Sequence, residues 1–235
     1  MTHRPAFVEH QSLAYLLPHL QSYAWKALQE TKLNGGKFRA TAKELFAANV
    51  FERVGELDNS VKSLRLAMDY VLNLDSTHED APDVYRYHYE NFLLRLTGIV
   101  DRAHLLVGTS LQLSPSKLKK IGANSFVAKH VTSNYPELDE CLRGLSNVAS
   151  KYKTPRNEIA HTNAFSSREL GLFSAIVFFR LEVGDWARIN NLMNSFFSES
   201  GAKLAALVAE MVSGVEALLD ALAPIHECLA TEIPN

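Results

Sequence analysis

The sequence lacks several features that would define its compartment. It has only two cysteines, Cys141 and Cys228, outside any C-x-x-C spacing, so we expect reduced thiols and no disulfide framework. Its longest strongly apolar run, residues 170–179, is about half of a membrane span. The first residues show no apolar core of a signal peptide. We therefore expect a cytoplasmic protein without a membrane partner.

Excess charge of one sign is also absent. The chain of 235 residues has 24 Lys+Arg and 26 Asp+Glu, a net charge of -2, which argues against a protein that is basic over its whole surface. With 47% apolar and 21% charged residues, it is not a disordered chain. The length suits one sizeable domain or two small ones.

The apolar residues that are present follow a helical period. From Tyr85 to Leu106 they recur at alternating steps of four and three, which predicts one long helix. Similar stripes cover 46–72, behind a Thr41 cap, and 204–222, ending before Pro224. Strand alternation bounded by hairpin turns is absent. We predict an all-α fold, a single domain over residues 1–235, built as a bundle of long antiparallel helices with shorter accessory helices.

Caps and breakers predict the remaining boundaries. A first helix is expected over Val8–Thr31, kinked or divided at Pro18, followed by a turn over residues 33–37. Thr154-Pro155 is expected to start a short helix. Ser166 and Glu169 have the spacing of a capping box, before a helix that ends near Gly184.

Common catalytic signatures are missing. The chain has no GxGxxG, GxxxxGK[ST], GxSxG or HExxH sequence. Glu158 and His161 form one ExxH, whereas a di-iron bundle needs two with further glutamates. We therefore predict no metal and no cofactor. His226 and Cys228 are interpreted as a surface histidine and a buried thiol, and residues 88–91 as the solvated side of a helix that would line a cleft in a dimer.

The informative segment is KYKTPRNEIAH, residues 151–161. Arg156 and His161 stand five positions apart, and Asn157 follows the arginine. Histidine can serve as general base or acid near neutral pH, and arginine offers a charged fork that matches phosphate oxygens. On one helix Arg156 and His161 point about 140° apart, and Asn157 and His161 about 40° apart. Two copies around a two-fold axis would pool both motifs in one cleft.

The Arg156-Asn157-x-x-x-His161 motif in an all-helical chain resembles the HEPN superfamily, whose hallmark is R-x(4–6)-H with a polar residue after the arginine. The resemblance implies a helical bundle that dimerises face to face and forms a composite ribonuclease site from Arg156, Asn157 and His161. It also implies a toxin or antiphage-defence effector, with RNA as substrate and an antitoxin or defence protein as a further partner. Members regulated by nucleotidylation carry a tyrosine where this chain has Asn163, so that regulation is not expected.

The resulting hypothesis is a metal-independent RNA endonuclease that leaves 2′,3′-cyclic phosphate ends. The alternative is a non-catalytic HEPN-like module that dimerises and binds a partner protein or nucleotide. A purely structural role, with Arg156 paired to an acid and His161 hydrogen-bonded at a helix end, also stays open.

The distribution of charge favours a local RNA site. Residues 114–156 contain eight Lys/Arg against three acids, a local +5, whereas residues 199–235 contain one lysine against six acids, a local -5. The basic segment leads into the motif. Lys151 and Lys153 are therefore predicted to bind the phosphate backbone.

Overall fold

The computed structural model describes residues 6–33, 38–161, 164–179 and 184–232, and within these ranges it contains no strand. Two 3-10 turns, Phe7–Glu9 and Gln11–Leu13, come first. The helices that follow are α1 Leu17–Leu33, α2 Ala42–Leu72, α3 Ala81–Ser110, α4 Pro115–Leu118, α5 Ala123–Asn134, α6 Pro136–Ser150, α7 Lys153–His161, α8 Arg168–Phe178 and α9 Trp186–Glu232. The predicted all-α class is confirmed.

The chain divides into two compact units. The first comprises Met1–Asn59, Val100–Ser146 and Ser213–Asn235, and the second comprises Ser60–Ile99 and Asn147–Val212. Helices α2, α3, α6 and α9 contribute residues to both units. The whole motif segment lies in the second unit.

In the first unit, a buried carboxylate organises the start of α2. The Thr41 backbone N–H donates to the Glu44 carboxylate at 2.8 Å, and the Glu44 N–H donates to the Thr41 hydroxyl at 3.3 Å. This is a reciprocal capping box, so the predicted Thr41 cap is confirmed. Lys26 and Ser22 also donate to Glu44, and together these donors lower the pKa of its carboxyl to about 2.

In the second unit, aromatic rings form the core between α3 and α9. Tyr85, only 2% exposed, stacks on Phe197 with ring centroids 5.0 Å apart. Its hydroxyl hydrogen-bonds to the Ser200 hydroxyl at 2.6 Å. Gly201, one residue further along α9, allows Leu72 of α2 to approach closely: a Cβ at position 201 would stand 2.4 Å from the Leu72 Cδ2. The predicted stripe from Tyr85 therefore lies in the core.

Proline does not end the helices where its local preference suggests. The helix expected to stop before Pro224 continues through it to Glu232, which corrects the prediction. Leu222 and His226, on either side of it, are fully buried, so packing outweighs the hydrogen bond that proline removes. Pro18, the expected kink, is the second residue of α1, where no helical hydrogen bond needs its missing N–H. The residues before it form 3-10 turns instead of the predicted helix from Val8.

The predicted capping box before α8 is displaced by one residue. Ser167, and not Ser166, is the N-cap, and its hydroxyl accepts the Leu170 N–H at 3.1 Å. Helix α8 ends at Phe178, earlier than the predicted end near Gly184. The turn predicted over 33–37 lies outside the described residues except for its first position, which ends α1. Asn163 lies outside them as well.

Candidate active site on helix α7

Helix α7 carries the whole motif and begins at Lys153. The chain turns directly after α6, with the Tyr152 N–H donating to the Ala149 carbonyl at 3.0 Å. The Tyr152 carbonyl then accepts the Arg156 N–H at 3.0 Å, the first hydrogen bond of the new helix. Thr154 is therefore inside the first turn and does not cap the helix, a correction of the prediction. The turn at residues 149–152 starts the helix before the Thr-Pro pair is reached.

The structure brings Arg156 and Asn157 together. The Arg156 Nη1 donates to the Asn157 Oδ1 at 2.9 Å, and both side chains are half-buried. The Arg156 Nε is buried and has no hydrogen-bond partner in the described part of the chain. An unsatisfied buried donor costs about 1–3 kcal/mol. The guanidinium is thus oriented by the amide, and one of its N–H groups still lacks an acceptor.

His161 is the last residue of α7, and its side chain is exposed. Among the described residues no hydrogen bond or ion pair to its ring is found. Because residues 153–161 form one regular helix, His161 projects about 140° away from Arg156 and about 40° from Asn157. The motif is therefore split over the helix surface, with the arginine-amide pair half-buried and the imidazole exposed.

Lys151 and Lys153 lie on either side of Tyr152, at the beginning of α7. Both lysines are exposed, whereas Tyr152 is half-buried. In the described ranges neither ammonium forms an ion pair. The same N-terminal end of the helix is the positive end of the helix dipole. The local electrostatics at this end are therefore suited to an anion.

A cavity of about 180 Å³ lies in the same unit, and Tyr152 forms part of its wall. Its other lining residues, from α3, the segment after α7 and α9, are Tyr85, Tyr89, Phe165, Ser167, Phe196, Glu199, Ser200, Lys203, Leu204 and Leu207. Burial raises the pKa of Tyr85 to about 12 and also raises the pKa values of Tyr89 and Tyr152. The phenols therefore keep their protons at neutral pH. The sequence patterns do not predict this cavity, because most of its rings come from distant segments.

The polar cluster at residues 88–91 is partly turned inward. His88 stacks on Tyr70 with ring centroids 4.2 Å apart, and its Nδ1 is buried without a partner in the described residues. Burial lowers the pKa of His88. Glu90 accepts the Phe165 N–H at 2.5 Å, which ties the segment after α7 to α3. All four residues are half-buried, so the cluster interpreted as a solvated face is only partly solvated.

The interpretation of His226 and Cys228 is reversed. His226 is fully buried, whereas Cys228 is exposed. The His226 Nε2 lies 2.9 Å from the Ser110 hydroxyl, and its Nδ1 lies 3.1 Å from the Ser12 carbonyl oxygen. Both ring nitrogens thus have core partners that lie far away in the sequence.

Two properties concern metals and membranes. Among the described residues no group of three or more His, Cys, Asp or Glu side chains is arranged to hold a metal ion. None of the helices in the described ranges combines the length and apolarity needed for a membrane span. Glu158 and His161, the ExxH pair, both lie on α7 and are exposed.

A family model described as Cthe2314-like HEPN matches residues 36–200, which are 165 of the 235 residues. The match includes α2 to α8 and the first part of α9, and therefore all of the motif and the cavity up to Ser200. No curated protein and no solved structure matches the chain.

Proposed function

The chain belongs to the HEPN family, and on this premise we propose that it is a metal-independent RNA endonuclease that works as a homodimer. The observation that carries the proposal is the Arg156 guanidinium, held by Asn157 and left with one buried N–H without an acceptor, on the same helix as an exposed His161. The guanidinium as a whole is only half-buried, and its N–H fork matches the oxygens of a phosphate.

The proposed reaction uses the 2′-hydroxyl of the RNA as nucleophile. His161 takes the proton from that hydroxyl, and the 2′-oxygen forms a bond to the adjacent phosphorus. The bond from phosphorus to the 5′-oxygen breaks, and a protonated imidazole donates a proton to the leaving oxygen. Arg156 stabilises the negative charge that develops on the phosphorane. The products are a 2′,3′-cyclic phosphate and a free 5′-hydroxyl.

The geometry of α7 supports a dimeric site. Within one copy, Arg156 and His161 project in different directions, so one helix does not present both to a single phosphate. A two-fold axis beside α7 would place the imidazole of one copy near the arginine-amide pair of the other. It would also supply two imidazoles, one as base and one as acid. Lys151 and Lys153 would hold the phosphates that flank the scissile bond.

The biological role that follows from this proposal is that of a toxin or antiphage-defence effector, with an antitoxin or defence protein as a partner. Expression of the active chain is then expected to arrest growth. Arg156→Ala or His161→Ala should relieve the arrest at equal protein levels. Equal toxicity of wild type and both variants would contradict this role.

Cleavage of single-stranded or tRNA-like RNA in EDTA tests the chemistry. Wild type should release fragments with 2′,3′-cyclic phosphate ends, and His161→Ala should release none. His78→Ala is the matched control, because His78 is an exposed histidine in the loop between α2 and α3, and it should cleave like wild type. Equal cleavage by wild type and His161→Ala would refute the assignment. Absence of cleavage by wild type, with a stoichiometric partner recovered, would favour a non-catalytic module.

A further inference from the structure

The cavity next to α7 is an aromatic chamber that opens to solvent. The rings of Tyr89, Tyr152, Phe165 and Phe196 line it, together with the buried Tyr85. Two further lining residues, Glu199 and Lys203, are exposed, so a solute can reach the chamber from outside. Its volume of about 180 Å³ is below the roughly 300–1,000 Å³ of pockets that take drug-sized molecules. The chamber suits one planar ring system.

The polar groups of the chamber suit the edge of such a ring. In the described part of the chain, the hydroxyls of Tyr89 and Tyr152 have no hydrogen-bond partner. Both keep their protons at neutral pH, because burial raises their pKa values, and so both can donate. The Glu199 carboxylate can accept a hydrogen bond from an amino or imino group. Donors and an acceptor therefore lie around an aromatic wall.

Cations lie beside the same wall. Tyr152 is flanked in the sequence by the exposed Lys151 and Lys153, and Lys203 is on the lining. Aromatic rings that alternate with cations are how proteins bind single-stranded nucleic acid, since bases stack on rings while lysines neutralise phosphates. A buried neutral ligand would not need these lysines.

We propose that this chamber is a base-binding subsite, which takes one unpaired nucleobase of the RNA while Lys151, Lys153 and Lys203 contact the adjoining phosphates. The inference rests on the proposed function for the identity of the ligand. It restricts the substrate class to RNA with an unpaired base close to the cleaved phosphate, because a base within a duplex cannot reach a chamber of this size. Tyr152 connects the two sites, since its ring lines the chamber and its carbonyl starts α7.

Three variants at two tyrosines separate stacking from other effects. Tyr152→Leu removes the ring, whereas Tyr152→Phe keeps the ring and removes the hydroxyl. Tyr87→Leu is the matched control, because Tyr87 is 65% exposed on α3 and does not line the chamber. Loss of one stacked base is worth about 1–3 kcal/mol. Tyr152→Leu should therefore raise the apparent KM for single-stranded RNA about 5- to 160-fold. Tyr152→Phe, which loses only the hydroxyl, should raise KM by less, and Tyr87→Leu should be near wild type.

Photocrosslinking locates the base directly and does not depend on catalysis. His161→Ala protein would be irradiated with a single-stranded RNA that carries 5-iodouridine, and the crosslinked peptides would be mapped. We expect crosslinks at Tyr89, Tyr152 or Phe165. Phe165→Leu, which keeps an apolar side chain in the wall, should reduce the crosslinking yield, and circular dichroism should show that each variant is folded.

The outcomes distinguish this inference from the proposed function. Wild-type cleavage with an unchanged KM for Tyr152→Leu and crosslinks outside the chamber would overturn the subsite and leave the nuclease standing. Crosslinks in the chamber without any cleavage would support the subsite and refute the nuclease. Equal binding of fully paired and single-stranded RNA would also overturn the subsite.

Discussion

His226 makes the stability of the first unit dependent on pH. Its ring is fully buried on α9, with Nδ1 3.1 Å from the Ser12 carbonyl oxygen and Nε2 2.9 Å from the Ser110 hydroxyl. A carbonyl oxygen only accepts, so we assign the proton to Nδ1, and the Ser110 hydroxyl then donates to Nε2. The hydrogen bond from Ser110 requires the neutral imidazole, whereas the Nδ1–H bond to Ser12 persists in the imidazolium and raises the pKa. Burial outweighs this effect and lowers the pKa of His226 from 6.5 to about 4.

The magnitude follows from linkage between protonation and folding. In the unfolded chain His226 binds a proton near pH 6.5, whereas in the folded chain it resists protonation down to about pH 4. Its contribution to the free energy of unfolding is therefore complete above pH 6.5 and is lost as the pH falls to about 4. At about 1.36 kcal/mol for each pKa unit, the loss is about 3 kcal/mol.

Urea unfolding at a series of pH values between 7 and 4 measures this loss. His226→Gln keeps one donor and one acceptor but does not titrate, so its stability should fall by about 3 kcal/mol less than that of wild type over this interval. His88 and His104 also have pKa values lowered by burial, and comparing the two proteins cancels their contribution. His78→Gln, at an exposed site, should follow wild type. Parallel stability curves for wild type and His226→Gln would refute the reasoning.

Three further predictions concern other parts of the molecule. Arg156→Ala should lower kcat about 10²- to 10³-fold in an RNA cleavage assay. Arg156→Lys should keep only part of the wild-type activity, because lysine lacks the planar fork. Full activity of Arg156→Ala would exclude the proposed role of Arg156. Gly201→Ala should lower the melting temperature, since its Cβ would stand 2.4 Å from a Leu72 methyl carbon. Gly55→Ala in α2, where a Cβ would have nothing within 4 Å, should raise the free energy of unfolding by about 0.5–1 kcal/mol. A more stable Gly201→Ala than Gly55→Ala would contradict the packing. Glu44→Gln should destabilise the chain by about 1–3 kcal/mol at neutral pH. In wild type the contribution of Glu44 to the free energy of unfolding is present above pH 4.5 and should be lost as the pH falls to about 2. If urea unfolding showed the same loss of stability between pH 4.5 and 2 in wild type and Glu44→Gln, this role of Glu44 would be contradicted.

The sequence predicts the long helices because their stripes are self-consistent over many turns. It predicts caps less well, because a cap depends on one residue. Thr41 and Ser166 both precede a glutamate by three positions, yet only Thr41 forms the reciprocal box. Ser167 stands beside Ser166 and captures the Leu170 N–H instead. A three-residue spacing cannot choose between adjacent hydroxyls.

Partners far away in the sequence explain the larger misreadings. In the sequence, His226 has no polar partner nearby, because Ser12 and Ser110 lie 214 and 116 residues away. His88, on α3, has its stacking partner Tyr70 on a different helix, α2. Local periodicity places such residues on a helix face, but it does not show which other helix satisfies their polar atoms.

The motif is local in the sequence, whereas the chamber beside it is built from residues far apart in the sequence. Arg156, Asn157 and His161 lie on one short helix, so the sequence alone places them together and also shows that one helix cannot aim them at one phosphate. The chamber is assembled from four stretches of the chain, and only the alternation of lysine and tyrosine at residues 151–153 marks it locally. That alternation also explains how a chain with a net charge of -2 can be suited to RNA. An RNA strand bound as proposed would meet exposed lysines around a half-buried ring. With a Debye length of about 8 Å at physiological salt, acids farther away than this contribute little to the local field, whereas Glu199 lines the chamber and Glu210 acts on Tyr152.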